Sequence, residues 1–292
     1  QWYNKLPAFM PGTLFVVATP IGNLEDISAR ALRVLGDVTL IAAEDTRRTA
    51  RLLARYAIRT PTTSLHAHNE HAKARHLVDR LLENQSIALV SDAGTPTLSD
   101  PGAGLVRAAV EAGIRVEPIP GPSAVTALLS VTGHASQTFL FLGFPPTKGR
   151  QRRQWFAELA KAGRPCVFLE APHRIKATLS ELVRGCGDPQ LVIGREMTKQ
   201  HEEIIRGRAS AVLNTPDLAR GELTVLMNPE GGGAADEATI GRSTDVTPDL
   251  VGHKADLKGS VDRAKAAEIA RVLGLKTNDV YSAFVRSAKS AK

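Results

Sequence analysis

The chain has 292 residues, a formal net charge of +7 and a pI near 9.6. Hydrophobic residues make up 43% and charged residues 23%, which excludes wholesale disorder and suits two globular domains. Two cysteines exclude a disulfide framework and a zinc site built on thiolates, and no apolar run approaches the ~18 residues that would suggest a membrane span.

Read in order, the first half alternates short apolar runs with helical patterns. Residues 14–18 read as a strand and 23–35 as a helix. The run 38–43 is a strand that breaks at Glu44-Asp45-Thr46, and Asp45 or Thr46 caps a helix reaching Arg55. Residues 70–83 are helical, 87–90 form a strand, Pro101 stands near the start of another helix, 116–119 form a strand and 123–131 a helix. Such alternation predicts an α/β fold with a largely parallel sheet. In the second half, strands fit 139–142, 166–169, 191–193 and 223–227, and helices fit 150–162, 174–183 and 209–218. Gln200–Arg206 is either part of a cleft or only a strand edge.

These patterns divide the chain into an α/β domain over 13–135, a second over 136–228, a linker over 229–259 and a helical tail over 260–292. The linker opens on Gly231-Gly232-Gly233. The tail suggests two helices, 260–273 and 278–288, and residues 251–292 hold nine Lys/Arg against four Asp/Glu. A basic helix-turn-helix-like appendage would touch nucleic acid; the alternative is a solvated tail that packs or dimerises. The first twelve residues contain no hydrophobic leader, so the expected location is the cytoplasm. The basic balance favours an anionic partner, because Lys and Arg release counterions from phosphates.

Four loop regions follow apolar runs, where ligands of open α/β sheets collect. They are Thr19-Pro20-Ile21-Gly22-Asn23-Leu24; the stretch from Ser91 to Gly102, with two Gly, two Pro and two Asp; Pro120-Gly121-Pro122-Ser123; and a second-half cluster at 170–174, 195–199 and 220–224. The glycines of the second loop have no neighbouring lysine and match neither a phosphate loop nor a dinucleotide fingerprint, so ATP and NAD are disfavoured. Ser123 is either a plain N-cap or a hydroxyl delivered to a ligand.

Gly94-Thr95-Pro96, Asp100-Pro101-Gly102 and Pro120-Gly121-Pro122-Ser123 together resemble the cofactor signature of the tetrapyrrole methylases. The detailed match is to the branch acting on small-subunit ribosomal RNA. It rests on Thr-Pro-Ile-Gly-Asn-Leu at 19–24, Ala-Glu-Asp-Thr-Arg at 43–47 and Leu-His-Ala-His-Asn-Glu at 65–70. It extends to Ser-Asp-Ala-Gly-Thr-Pro at 91–96, Glu-Ala-Pro-His-Arg at 170–174 and Arg-Glu-Met-Thr-Lys at 195–199. The resemblance implies two α/β domains of the tetrapyrrole-methylase type, usually dimerised, with S-adenosylmethionine in the cleft between them. It implies methyl transfer to a cytidine ribose 2′-hydroxyl in the decoding region of 16S ribosomal RNA, probed on free RNA or on the assembled 30S subunit. Its cofactor loops map onto Pro20, Gly94, Thr95, Pro96, Leu98, Ser123 and Ala124, and its second-half strand ends onto Leu169, Glu170 and Thr224.

For that chemistry a base, or a cation that stabilises the oxyanion, assists a poor nucleophile. Asp45, Arg47, His68, Glu70, Glu196 and Lys199 are the candidates. Lys199 ranks first, with Glu196, Asp45 and Arg47 as further catalytic choices. His68 and the basic run Lys148, Arg150, Arg152 and Arg153 are candidate RNA contacts; the alternative for the run is a solvated face. His66, His68 and His71 suit a polar surface better than a metal site, so no metal is expected. Two rival readings stand: a tetrapyrrole or other small-molecule methylase of the same fold, and a non-catalytic RNA-binding factor.

Overall fold

Strand residues in the first half carry apolar side chains on both faces, as parallel strands covered by helices on each side require. The computed structural model describes residues 11–133, 138–216 and 218–228, together with Thr277. In it β1 (Leu14–Val17), β2 (Leu40–Ala43), β3 (Thr62–Ser64), β4 (Ile87–Val90) and β5 (Val116–Ile119) form an all-parallel sheet in the order β3-β2-β4-β1-β5. Successive side chains alternate between faces. Ile41, Ala43, Ala88 and Val90 join one core with α1 (Ala29–Asp37) and α2 (Thr46–Arg55). Leu40, Ala42, Ile87 and Leu89 join the opposite core with α3 (Glu70–Leu82) and α4 (Ala103–Glu111).

The expected helix at 23–35 is divided. Asn23 Oδ1 accepts from the Glu25 amide and caps a single 3-10 turn, Leu24–Asp26; Ser28 Oγ then accepts from Ala31 and starts α1. Two capping side chains within six residues make two starts. Pro101 is not the first helical residue of α4. The N-cap is Gly102, in the left-handed region at φ 118°, and Glu70 supplies the missing acceptor: its Oε1 takes the Gly102 amide at 3.1 Å and the Gly104 amide at 2.5 Å. This fixes Glu70, considered for catalysis, as a helix cap. β3 was not anticipated; its three residues are polar and half-buried.

The second sheet contains β6 (Leu140–Phe141), β7 (Cys166–Glu170), β8 (Gln190–Arg195), β9 (Glu203–Arg208) and β10 (Leu223–Asn228), ordered β6-β7-β10-β8-β9. Only β6 and β7 are parallel. The expectation of a largely parallel sheet therefore holds for the first half alone. β8 and β9 are joined by a seven-residue turn, too short for a crossover helix. Gln200–Arg206 thus leads into an edge strand. α6 (Gly149–Lys161), α7 (Ile175–Gly185) and α8 (Ala209–Val212) cover this sheet through Trp155, Phe156, Leu179, Leu182 and Val212. α8 is one turn, shorter than the expected 209–218.

α5 (Ala124–Val131) follows the first sheet in sequence but packs on the second, with Leu128 buried among Val167, Val192, Met197 and Leu226. The expected linker at 229–259 and the two expected helices at 260–273 and 278–288 lie outside the described residues; Thr277, between those two ranges, is helical.

Candidate functional site

The carboxyl ends of β1, β2, β4 and β5 deliver their loops to one edge, the place where open α/β sheets bind ligands. The loops are tied together there. Thr19 and Gly94 exchange backbone hydrogen bonds at 2.9 and 3.0 Å, Thr19 Oγ1 donates to the Ser91 carbonyl at 3.1 Å, and Thr95 Oγ1 donates to Pro122 at 3.4 Å. Thr97 and Ser99 take left-handed φ values of 74° and 69°, a conformation that costs non-glycine residues about 1–3 kcal/mol each. Across the cleft, Glu196 and Thr198 are left-handed too, at 49° and 66°. Strain thus concentrates in the two turns that face the ligand edge.

The turn after β8 is clamped from both sides. A Cβ on Gly22 would lie 2.5 Å from Lys199 Cγ and 2.8 Å from the Met197 carbonyl; one on Gly221 would lie 2.4 Å from Glu196 Cγ. The Asn23 amide donates to Thr198 Oγ1 at 3.0 Å. Lys199 Nζ reaches Glu196 Oε1 at 3.0 Å and Glu222 Oε2 at 3.1 Å. Burial works to lower the Lys199 pKa, but the hydrogen bond to Glu196 and the charge of Glu222 outweigh it, and the pKa rises. Lys199 is therefore an ammonium and no base. Hydrogen bonding from the Glu222 amide, then the Lys199 ammonium, holds the Glu196 carboxyl below its ordinary range, against the effect of burial.

Two adjoining hollows occupy the cleft. One, of about 310 Å³, is at the small end of the usual range for small-molecule sites, roughly 300–1,000 Å³. Gly94, Thr95, Leu98, Ser123, Ala124, Leu169, Glu170 and Thr224 line it, as the sequence led us to expect. The second is lined by Pro20, Gly22, Arg48, Arg51, Lys199 and Glu222 among others. Ile21, Arg48, Asp92, Ala93 and Glu222 border both. Pro96 is buried within its loop and borders neither.

Several candidates have other work. Asp45 caps α2, accepting the Arg47 amide at 2.8 Å and its guanidinium at 3.2 and 2.9 Å. Those hydrogen bonds lower its pKa to about 2, which makes it a poor proton acceptor. Arg47 points outward with an 88% exposed side chain, and neither residue borders a hollow. Glu170 is placed on the wall, but its carboxylate is consumed by the Ala171 amide, the Arg174 guanidinium and the Thr178 hydroxyl. Arg152 is not an RNA contact. It is 9% exposed, and its guanidinium bonds Glu181, Thr178 and the Pro146 carbonyl. Lys148, Arg150 and Arg153 are exposed around it, and His68 is exposed before α3.

The sequence reading missed Glu44, Asp92, Asp100, Arg48 and Glu222, all on the wall of the first hollow. Burial, then repulsion from Glu44, pushes the Asp100 carboxyl up to about 6, against a hydrogen bond from Ser91. Burial also raises Glu44, which accepts the Asp92 amide at 3.2 Å. Glu44 directly follows β2, and Asp92 stands two residues after β4; position at a strand end was the available signal.

The donor set fits S-adenosylmethionine. Leu98, Phe141 and Leu169 offer apolar walls for an adenosyl group. Glu44, Asp92 and Asp100 suit its cationic centres. The start of α5, where Ser123 makes no side-chain capping bond, offers backbone N–H groups to a carboxylate.

The profile of the tetrapyrrole (corrin/porphyrin) methylases matches residues 13–213. A Pseudomonas aeruginosa protein named ribosomal RNA small subunit methyltransferase I is 42% identical over 290 residues, 96% of this chain and 99% of its own. The Xylella fastidiosa protein of that name is 48% identical over 232 residues, 78% of this chain and 84% of its own. Among solved structures, the methyltransferase CobJ superposes with a TM-score of 0.59 at 19% identity, over 75% of this chain and 95% of its own. Diphthine synthase superposes with the same score at 14% identity, over 74% and 90%; these two show the fold alone. The chain therefore belongs to the tetrapyrrole methylase family and, with it, to the methyltransferases that draw on S-adenosylmethionine.

Proposed function

We propose that this enzyme methylates the ribose 2′-hydroxyl of a cytidine in the decoding region of 16S ribosomal RNA, within the assembled 30S subunit, as a cytoplasmic homodimer. The chain divides for this purpose into α/β domains at 13–135 and 136–228, a linker at 229–259 and a basic helical tail at 260–292. The supporting observation is the paired hollows. One suits the methyl donor, and its neighbour is rimmed by the cations Arg48, Arg51 and Lys199, which suit an anionic acceptor such as a phosphodiester. The names carried by relatives that align along nearly the whole chain support the same substrate class.

Bound S-adenosylmethionine supplies an electrophilic methyl group. The residues named above hold and orient it, and orientation of the two reactants is the larger part of the catalytic task. Gly94, Thr95, Ser123, Ala124 and Thr224 contact it; Pro20 and Pro96 fix the loops. Lys199 is the catalytic residue. Two of its three N–H donors are taken by Glu196 and Glu222, and the third meets the ribose oxygen as negative charge develops there; the hydroxyl proton passes to solvent water, and the electrons of the broken methyl–sulfur bond stay on the sulfur, which leaves as a neutral thioether. Glu196 positions Lys199. Lys148, Arg150, Arg153 and His68 contact RNA outside the cleft.

The test offers methyl-labelled S-adenosylmethionine with undermethylated small ribosomal subunits in one vessel and with a uroporphyrin-type macrocycle in another. Label in subunit RNA is expected. Label in the macrocycle alone contradicts the assignment.

A further inference from the structure

α2 begins at the cleft and carries more positive charge than its fold requires. Its ten residues include Arg47, Arg48, Arg51 and Arg55, and from Thr46 to Asn69 the chain contains no acidic residue. At about 100° per residue, these four arginines fall within an arc of roughly 100°. The buried Thr49, Leu52 and Leu53 occupy the opposite arc. All four arginines are exposed.

The two ends of the row differ. Arg47 is tied to Asp45 at 2.9 Å, and Arg48 lies 3.5 Å from Asp92. Arg51 and Arg55 have no acidic partner among the described residues, and Arg55 rests only near the Tyr56 ring, 5.6 Å from its centroid. Arg48 and Arg51 border the second hollow, and Arg48 the first as well. The row therefore leaves the reaction cleft at Arg48 and runs outward to Arg55. Seven residues of helix span about 10 Å.

We propose that the arginine face of α2 is a binding track for the phosphodiester backbone of the acceptor RNA, running from the methyl-transfer cleft along the helix to Arg55. The proposal rests on RNA being the substrate. Uncompensated guanidinium groups on a rigid helix hold phosphates through counterion release and charge-assisted hydrogen bonds. They carry no base preference, so the track fixes the register of the strand while the cleft selects the nucleotide. The neutralised members Arg47 and Arg48 set the helix start and the cleft wall; Arg51 and Arg55 do the binding.

The experiment compares full-length wild type with the double variant Arg51→Gln/Arg55→Gln. A control, Arg75→Gln/Arg107→Gln, removes the same charge from exposed sites on α3 and α4. Binding to undermethylated small ribosomal subunits, methylation kinetics on them and calorimetric binding of S-adenosylmethionine are measured between 50 and 200 mM salt. For the track variant we expect about a tenfold rise in KM for the subunit, a change in kcat smaller than that in KM, and unchanged cofactor affinity. The slope of log affinity against log salt should become shallower by about 1.4, as loss of two single-strand phosphate contacts requires. The control should match wild type. A track variant that binds like wild type, or a control weakened equally, overturns the proposal. Wild type that binds subunits in a track-dependent way without transferring methyl groups keeps the track and removes the RNA methylation reading. Wild type that neither binds nor methylates removes both.

Discussion

Asp100 shows how a single side chain links the cavity to pH. Its carboxyl titrates near 6, because burial and the Glu44 charge oppose ionisation. The folded protein holds this proton more tightly than the unfolded chain does, so stability falls as pH rises from about 4 through 6. A cationic ligand in the cavity reverses the preference and favours the ionised form. Affinity for S-adenosylmethionine is therefore expected to rise between pH 5 and 7, and Asp100→Asn should flatten that rise in calorimetry while reducing the stability decline in thermal melts, Glu44 contributing the remainder. Lys199→Ala is expected to lower kcat by about 10²–10³, the scale of losing one oxyanion donor, with the cofactor Kd unchanged; undiminished turnover would reject its role. Gly22→Ala should abolish most activity, because its Cβ strikes the backbone carbonyl of Met197 as well as the Lys199 stem. Lys199 was legible in the sequence as a charged residue beyond a strand. Asp45 and Arg47 misled because an acid followed closely by a base at a strand end reads equally as a cap and as chemistry; only the hydrogen bonds separate them. Asp100 escaped because its altered acidity arises first from burial in the folded cleft and then from Glu44, far away in sequence.

At the scale of elements, strands β4 and β5 were readable to the residue: β4 is an unbroken apolar run, and β5 is bounded by apolar Val116 and Ile119 between Gly-containing breaks. β3 and β9 were not. β3 is short and polar, and β9 sets two adjacent isoleucines among charged residues at a sheet edge, where only partial burial is imposed. Strand direction in the second sheet was hidden for a different reason: the periodicity of side chains is the same in parallel and antiparallel ladders. α6 carries the clearest reversal. Four cations within six residues suggested a basic face, but the helical turn sends Arg152 inward to Glu181 and Thr178 while its neighbours face out. Arg152→Leu is expected to destabilise the fold by about 3–5 kcal/mol, since it leaves Glu181 without its cation and the buried Thr178 hydroxyl without its donor. RNA affinity measured on the folded variant should not change. Denaturation by urea provides the check, and an unchanged midpoint would contradict the buried network.

For the whole molecule, the two sheets meet through α5 and through the turn held by Gly22 and Gly221. Leu128→Ala should cost about 2–5 kcal/mol and also weaken cofactor binding, because the same helix presents Ser123 and Ala124 to the cavity. Among the described residues no helix is long and apolar enough to cross a membrane. The overall α/β order and the cofactor loops were legible because strand ends and glycine–proline turns are local features. The carboxylate wall depends on which strand lies beside which, and that order, β3-β2-β4-β1-β5, is not written in any one segment. The central claim is ribose methylation of ribosomal RNA, and its most direct test is mass spectrometry of nucleosides from undermethylated small subunits treated with the enzyme and S-adenosylmethionine. One 2′-O-methylcytidine gained per subunit, mapped to the decoding region and absent with Lys199→Ala, is the predicted result. A methyl group on a base, or no gain while the cofactor binds, would contradict it.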